Sequence, residues 1–287
     1  MNMTLRLPFI ALIVSLASVV SAADRTTPCE QCAAWNAPQK PFKLYGNSYY
    51  VGTHRLGSIL ITSDKGHVLI DAALPESVEQ IAANVRSLGF RVEDIKVILN
   101  THSHFDHAGG IARMQKLTGA KVWASPWSAQ VFAHGDSPDD PQFGTIEPIE
   151  KVANVSVLKD GGAVRVGPLS LVAHFTPGHT GGGTSWSWKS CEGPRCLNMV
   201  YADSLTPVSA PKFRFTGKPA LLKQFDQSYA ALSALPCDIL ITPHPEASDL
   251  WERLEKHDGL VDATACGRYV EASRERLRKR LAEEGAN

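Results

Sequence analysis

The chain reads as a layered α/β protein, with helices outside two β-sheets. Three observations predict it. Strand-length apolar runs fall in two sets, one in each half of the chain. Segments of helical period interleave with them. Several apolar runs lead straight into histidine-bearing loops rich in glycine or proline, where open α/β sheets place their sites.

The elements follow in order. Tyr49 to Val51, Ser58 to Thr62 and His67 to Ile70 read as short strands joined by glycine-containing turns, an antiparallel opening. Ser77 to Leu88 has apolar residues at 78, 81, 82, 85 and 88, a helical period that stops before Gly89. Val92 to Leu99 reads as a strand, followed by a ligand-rich loop and a helix from Gly110 to Leu117. Lys121 to Ala124 is another strand, and residues 134–150 form a long loop. Val155 to Leu158, Val164 to Val166, Leu169 to His174, Thr184 to Trp188 and Asn198 to Tyr201 supply the second strand set. Residues 219–235 are helical, Ile239 to Ile241 is a buried strand, and 262–282 form the last helix. There Tyr269, Ser273, Leu277 and Leu281 make one stripe.

The first 22 residues are expected to be a signal peptide. Arg6 gives a positive start, and Phe9 to Val20 is an apolar core too short to span a bilayer comfortably. Val20-Ser21-Ala22 are the small residues that precede cleavage, here before Ala23. The alternative is an uncleaved N-terminal anchor. Residues 23–287 are expected to form a single exported, soluble domain with no membrane span. Apolar content of 44% and charged content of 20% over 287 residues permit a sizeable core. Lys plus Arg equals Asp plus Glu at 29 each, so no field points to nucleic acid or an acidic membrane.

Export makes disulfides the natural use of the six cysteines. Cys191 and Cys196 flank a turn-like Glu-Gly-Pro-Arg, and Cys237 with Cys266 makes a long-range staple. Cys29 then pairs with Cys32, for which a metal-binding C-x-x-C is the competing reading.

Chemistry concentrates in Asn100-Thr-His-Ser-His-Phe-Asp-His-Ala-Gly-Gly110. On an extended backbone His102 and His104 point the same way, and the chain then turns to present Asp106 and His107 elsewhere. Two histidines for one metal and an Asp-His pair for a neighbour is the natural division. One loop cannot complete two sites. His179, in Thr176-Pro-Gly-His, and His244, in Thr242-Pro-His-Pro, stand after other strands and complete the candidate set. His54, His67, His134, His174 and His257 have no such context and read as structural or exposed.

These motifs resemble the metallo-β-lactamase superfamily. Thr101-His-Ser-His-Phe-Asp-His carries the resemblance, with Val68-Leu-Ile-Asp71, Gly178-His-Thr and Pro243-His-Pro in the same order. The finer pattern is similar to the third subclass of the zinc-dependent class B β-lactamases. That pattern includes Gly178 to Trp186, Tyr201-Ala-Asp-Ser-Leu and Cys237 to Pro245 with Cys266, and the likeness runs from about Pro41 to Leu281. The resemblance implies an αββα sandwich and two Zn2+ ions, one on His102, His104 and His179, the other on Asp106, His107 and His244. It implies β-lactam ring opening by metal-activated hydroxide that Asp106 orients, in a periplasmic, monomeric enzyme that confers antibiotic resistance. By family position, Ser204 and Thr206 contact the substrate carboxylate. Exported thioesterases or lactonases of the glyoxalase II type share the scaffold, and a non-catalytic zinc-binding protein is a third reading. The first two differ at Asp203, a metal bridge in the thioesterases. On an extended segment Asp203 and Ser204 face opposite sides, and the neighbouring residues favour Ser204 toward the metals.

Overall fold

The computed structural model describes residues 29–256 and 259–285; the expected signal peptide and His257 lie outside them. Among the described residues, one sheet has seven strands in chain order. They are β1 (Phe42–Tyr45), β2 (Ser48–Tyr50), β3 (Ile59–Ile61), β4 (His67–Ile70), β5 (Ile95–Leu99), β6 (Lys121–Ala124) and β7 (Ser156–Val157). The first four form an antiparallel meander, and β4 to β7 run parallel. The second sheet is built from β8 (Ala163–Val166), β9 (Leu169–Phe175), β10 (Thr184–Glu192), β11 (Arg195–Tyr201) and β12 (Ile239–Ile241), in the order β12-β11-β10-β9-β8. Only β11 and β12 pair in parallel there.

Period-two alternation explains why each sheet is covered twice. In β3 and β4, Ile59, Ile61, Val68 and Ile70 enter the core between the sheets, where they meet Trp186, Met199, Tyr201, Ile239 and Ile241. Their neighbours Leu60 and Leu69 face the other way. They pack with Ile98 and Val122 under helices α2 (Val78–Ser87), α4 (Ile111–Thr118) and α5 (Pro126–His134). On the second sheet, Val200 and Leu240 face outward beneath α6 (Pro219–Ser233) and α8 (Ala265–Gly285). The result is the αββα order.

Several expectations need correction. Residues 92–94 are a 3-10 turn before β5, because Val92 tucks under the helix layer while Glu93 and Asp94 start the turn. β1 and α5 were not foreseen, nor were the short helices α1 (Cys32–Trp35), α3 (Phe105–Ala108) and α7 (Leu250–Leu254). The β10–β11 hairpin extends beyond Trp188, with Cys191 opposite Cys196 and bonded to it. Cys237 and Cys266 are the second expected pair, and Cys29 and Cys32 are not free. No helix among the described residues is long and apolar enough to cross a membrane. The carboxyl ends of β4, β5, β9, β11 and β12 open on one edge of the sandwich, and that edge carries the histidines.

Candidate metal centre

Asp71, just after β4, fixes the start of the ligand loop. Its backbone is left-handed (φ 59°), which turns the carboxylate back toward β5. There it accepts from the Thr101 amide and hydroxyl, both at 2.8 Å. Burial pushes Asp71 up to about 7, against the two Thr101 donors. With Thr101 pinned, the chain stays extended through His104 and then enters α3. His102 and His104 therefore lie side by side with ring centres 4.7 Å apart, while Asp106 and His107 come from the first helical turn. The extended-then-turned geometry expected from the spacing is what the loop adopts.

His179 reaches the same point from the turn between β9 and β10. Gly178 precedes it at φ +139°, and a side chain there would meet the Phe225 ring at 2.9 Å. The His179 ring lies 4.8 Å from His102 and 4.9 Å from His104. His102, His104 and His179 form one group of donors able to hold a cation, all of them buried.

The outward nitrogens of these rings are tied down. His102 Nδ1 donates to Asp203 Oδ1 at 2.7 Å, His104 Nε2 to Asp140 Oδ2 at 3.0 Å, and His179 Nδ1 to the Thr206 carbonyl at 2.8 Å. Hydrogen bonds of this kind set the tautomer of a metal-ligating imidazole and aim its other nitrogen. His102 Nε2 is buried with no hydrogen-bond partner, the state of a lone pair waiting for a cation.

A second group adjoins the first. Asp106 Oδ2 is 3.1 Å from His107 Nε2 and 3.3 Å from His244 Nε2, and the two nitrogens are 3.2 Å apart. Zinc bonds of about 2.1 Å in a tetrahedron place neighbouring ligands about 3.4 Å apart. This near-equilateral triangle is close to that size. His244 follows β12, and the Trp35 ring packs 6.0 Å from its own. His102 also forms a donor group with Asp106 and His107, so the two centres are neighbours.

The electrostatics suit a divalent cation. Burial, reinforced by the neighbouring rings, holds His102 well below its ordinary range and takes His179 down to about 3. His107 is lowered too, chiefly by burial. Burial alone would raise Asp106, but His107 and His244 outweigh it and hold the carboxylate well below the usual value. Burial alone would lower His244, but the Asp106 carboxylate bonded to it prevails and raises it. Neutral His102, His107 and His179 with an ionised Asp106 are forms that ligate.

All six expected ligands converge. Ser204 is buried, next in the chain to the Asp203 that holds His102, and Thr206 contributes its carbonyl to His179 as well as a hydroxyl 3.3 Å from the same nitrogen. Asp203 turns onto the far side of His102, so its bonded oxygen faces away from the nitrogen left for a cation. Of the other described histidines, His54 stacks on Trp251, His67 is buried, His174 bonds Ser187 and His134 is exposed. Trp186 and Trp188, which alternate with serine along β10, are core residues. Asp140 was missed, since nothing in a Pro- and Asp-rich loop distinguishes it from Asp136 or Asp139. Trp35 was missed because the C-x-x-C beside it says nothing about which ring its indole packs on.

Comparison with known proteins bears on the family. The metallo-β-lactamase superfamily model matches residues 58–191. The solved Rm3 metallo-β-lactamase is 52% identical, with a TM-score of 0.88, over 90% of this chain and 99% of that one. MEM-A1, a subclass B3 metallo-β-lactamase from a soil metagenome library, is 47% identical at TM-score 0.85, over 88% of this chain and 99% of its own. A hydroxyacylglutathione hydrolase of Maricaulis maris is 34% identical over 143 residues, 50% of this chain and 44% of that protein. The chain spans about half the length of the curated relatives it matches. Two-sheet architecture and similarity over about nine-tenths of the chain agree: the chain belongs to the metallo-β-lactamase superfamily, with a subclass B3 β-lactamase among its near structural neighbours.

Proposed function

We propose that this protein opens the amide ring of β-lactam antibiotics with the help of two zinc ions. The observation that carries the reading is the pair of adjoining donor sets, His102–His104–His179 and Asp106–His107–His244, in a chain 52% identical to a β-lactamase over 90% of its length. Neutral imidazoles and one carboxylate are ligands zinc takes readily. When bound, the zinc pair supplies Lewis acidity, drawing the pKa of water toward about 7 and stabilising negative charge.

The chain's own residues do the rest. Asp203, Asp140 and the Thr206 carbonyl hold three imidazoles in ligating tautomers. Asp106 commits one oxygen to the second donor set, leaving the other to orient the attacking water and accept its proton. The Ser204 and Thr206 hydroxyls bind the carboxylate next to the scissile amide. Burial of the donors keeps bulk water from screening the charge that develops. No side-chain nucleophile is needed, so no acyl-enzyme forms. We further propose that residues 1–22 export the protein to the periplasm as a monomer, where it confers resistance.

Thioester hydrolysis is the second reading, supported by the hydroxyacylglutathione hydrolases among its relatives. The Asp203–His102 bond weighs against it, since an aspartate committed to the Nδ1 side is turned from a bridging position. One assay separates them: a penicillin, a carbapenem and a glutathione thioester, before and after chelation. β-lactam hydrolysis lost on chelation and restored by zinc is expected. Turnover of the thioester alone, or undiminished β-lactam turnover by metal-free protein, overturns the proposal.

A further inference from the structure

Residues 135–155, between α5 and β7, hold turns but no helix or strand, yet one of their side chains reaches the histidine cluster. Asp140 is 5% exposed. Its Oδ2 accepts a hydrogen bond from His104 Nε2 at 3.0 Å, while its Oδ1 accepts from the Gln142 amide at 2.8 Å. One carboxylate thus bonds the site with one oxygen and its own loop with the other. Next to it, the Pro141 carbonyl accepts from Ala210 at 2.8 Å. That bond ties the loop to the segment whose Thr206 carbonyl holds His179.

His104 differs from its two partners in which nitrogen is left over. His102 and His179 are held at Nδ1 and present Nε2, whereas His104 is held at Nε2. A carboxylate has no hydrogen to give, so Nε2 carries the ring proton and the lone pair sits on Nδ1. The Gln142 side-chain nitrogen lies 3.5 Å from Nδ1, too far to hold it firmly. The short contact that sets both tautomer and tilt is the one from Asp140.

We propose that Asp140 is a positioning residue for the first cation site, and that through it cation binding and the order of residues 135–155 reinforce each other. This rests on the zinc reading above. If the carboxylate lowers the cost of holding His104 for the cation, then by reciprocity the bound cation lowers the cost of holding the carboxylate and its loop. The loop is therefore strapped at its base, and the strap tightens when the site fills.

The test uses the full chain, Asp140→Ala and Asp140→Asn. Zinc affinity is read by competition with a chromophoric chelator, and hydrogen exchange over 135–155 is followed with and without zinc. Asp140→Ala should weaken one of two zinc sites by about tenfold or more, the range for partners of ligating histidines. Zinc should slow exchange in this loop in the unmodified protein but not in Asp140→Ala. Asp140→Asn keeps an accepting oxygen and should show a smaller loss in the same direction. Unchanged affinity in both variants overturns the inference, as does zinc-dependent protection that survives in Asp140→Ala. A loop loosened equally with and without zinc makes Asp140 a mere staple and overturns it too. If Asp140→Ala does not fold, Asp140→Asn decides alone, and no loss there is a refutation. An unmodified chain that takes up no zinc refutes the metal reading itself.

Discussion

His102 is gripped by groups from both sheets. Thr101, beside it, is fixed by Asp71 at the end of β4, and Asp203 bonds its Nδ1 from the far end of β11. The backbone of Asp203 is in turn anchored, its amide to Ser185 and its carbonyl to the Tyr269 hydroxyl of α8. Burial pushes the Asp203 carboxyl up. A cation on Nε2 counters that push, because it makes the Nδ1 hydrogen a stronger donor to the carboxylate. Asp203→Asn should therefore bind zinc at full stoichiometry when saturated, with first-site affinity reduced about tenfold. Loss of both zincs in metal analysis would instead point to a bridging aspartate and the thioesterase reading. His244→Ala removes one corner of the second triangle and should leave one tightly bound zinc. Two tight zincs in that variant would show the second ligand set to be wrong.

Among the elements, the β9–β10 turn is the most constrained. A methyl group on Gly183 would lie 2.3 Å from the Thr176 carbonyl and 2.5 Å from Asp203 Oδ2. Gly183→Ala should cost about 1–3 kcal/mol in thermal or urea unfolding. It should also weaken zinc binding, since the nearest movable atom belongs to the carboxylate that holds His102. Unaltered unfolding would show that the turn has slack enough to take a methyl group. Helix α5 shows an element whose signals were present but unread. Ser125 caps it by accepting the Ser128 amide, Pro126 opens it, and Gly135 closes it at φ +104°. Its nine residues give too little period for an amphipathic pattern to emerge. β1 was illegible for another reason: it is an edge strand whose burial is mostly partial, so alternation barely registers.

At the scale of the whole molecule, α8 ties the site edge to the outer layer. Its Tyr269 reaches Asp203, and its last turn clasps the segment before α6: Glu284 accepts from the Phe215 and Thr216 amides while Arg280 bonds Glu284 and Ser209. Burial raises the Glu284 carboxyl, but those amides and Arg280 prevail and bring it to about 2 from 4.5. A depressed carboxylate stabilises the fold above its unfolded pKa, and that contribution fades as pH falls from 4.5 toward 2. Glu284→Gln should thus melt below the unmodified protein at pH 7, with the gap closing in that acid window. A gap that persists unchanged at pH 2 refutes the assignment. Cys237–Cys266 pins the other end of α8 across 29 residues, and replacing both cysteines by alanine should cost about 3–4 kcal/mol.

The layering is written in the order of residues, because stretches such as Ile59-Leu60-Ile61 and Val68-Leu69-Ile70 are apolar on both faces and can only be buried between helices and a second sheet. The ligand types are written there too, since four donors in six residues have few other uses and His179 and His244 stand after strands. Which atoms of those ligands are free depends on the folded contacts. A ring's usable nitrogen is set by whatever holds the other one, and Asp203, Asp140 and the Thr206 carbonyl lie 101, 36 and 27 residues from the histidines they hold. Long-range partners of this kind leave no periodic trace in a chain. They exist once the two sheets close.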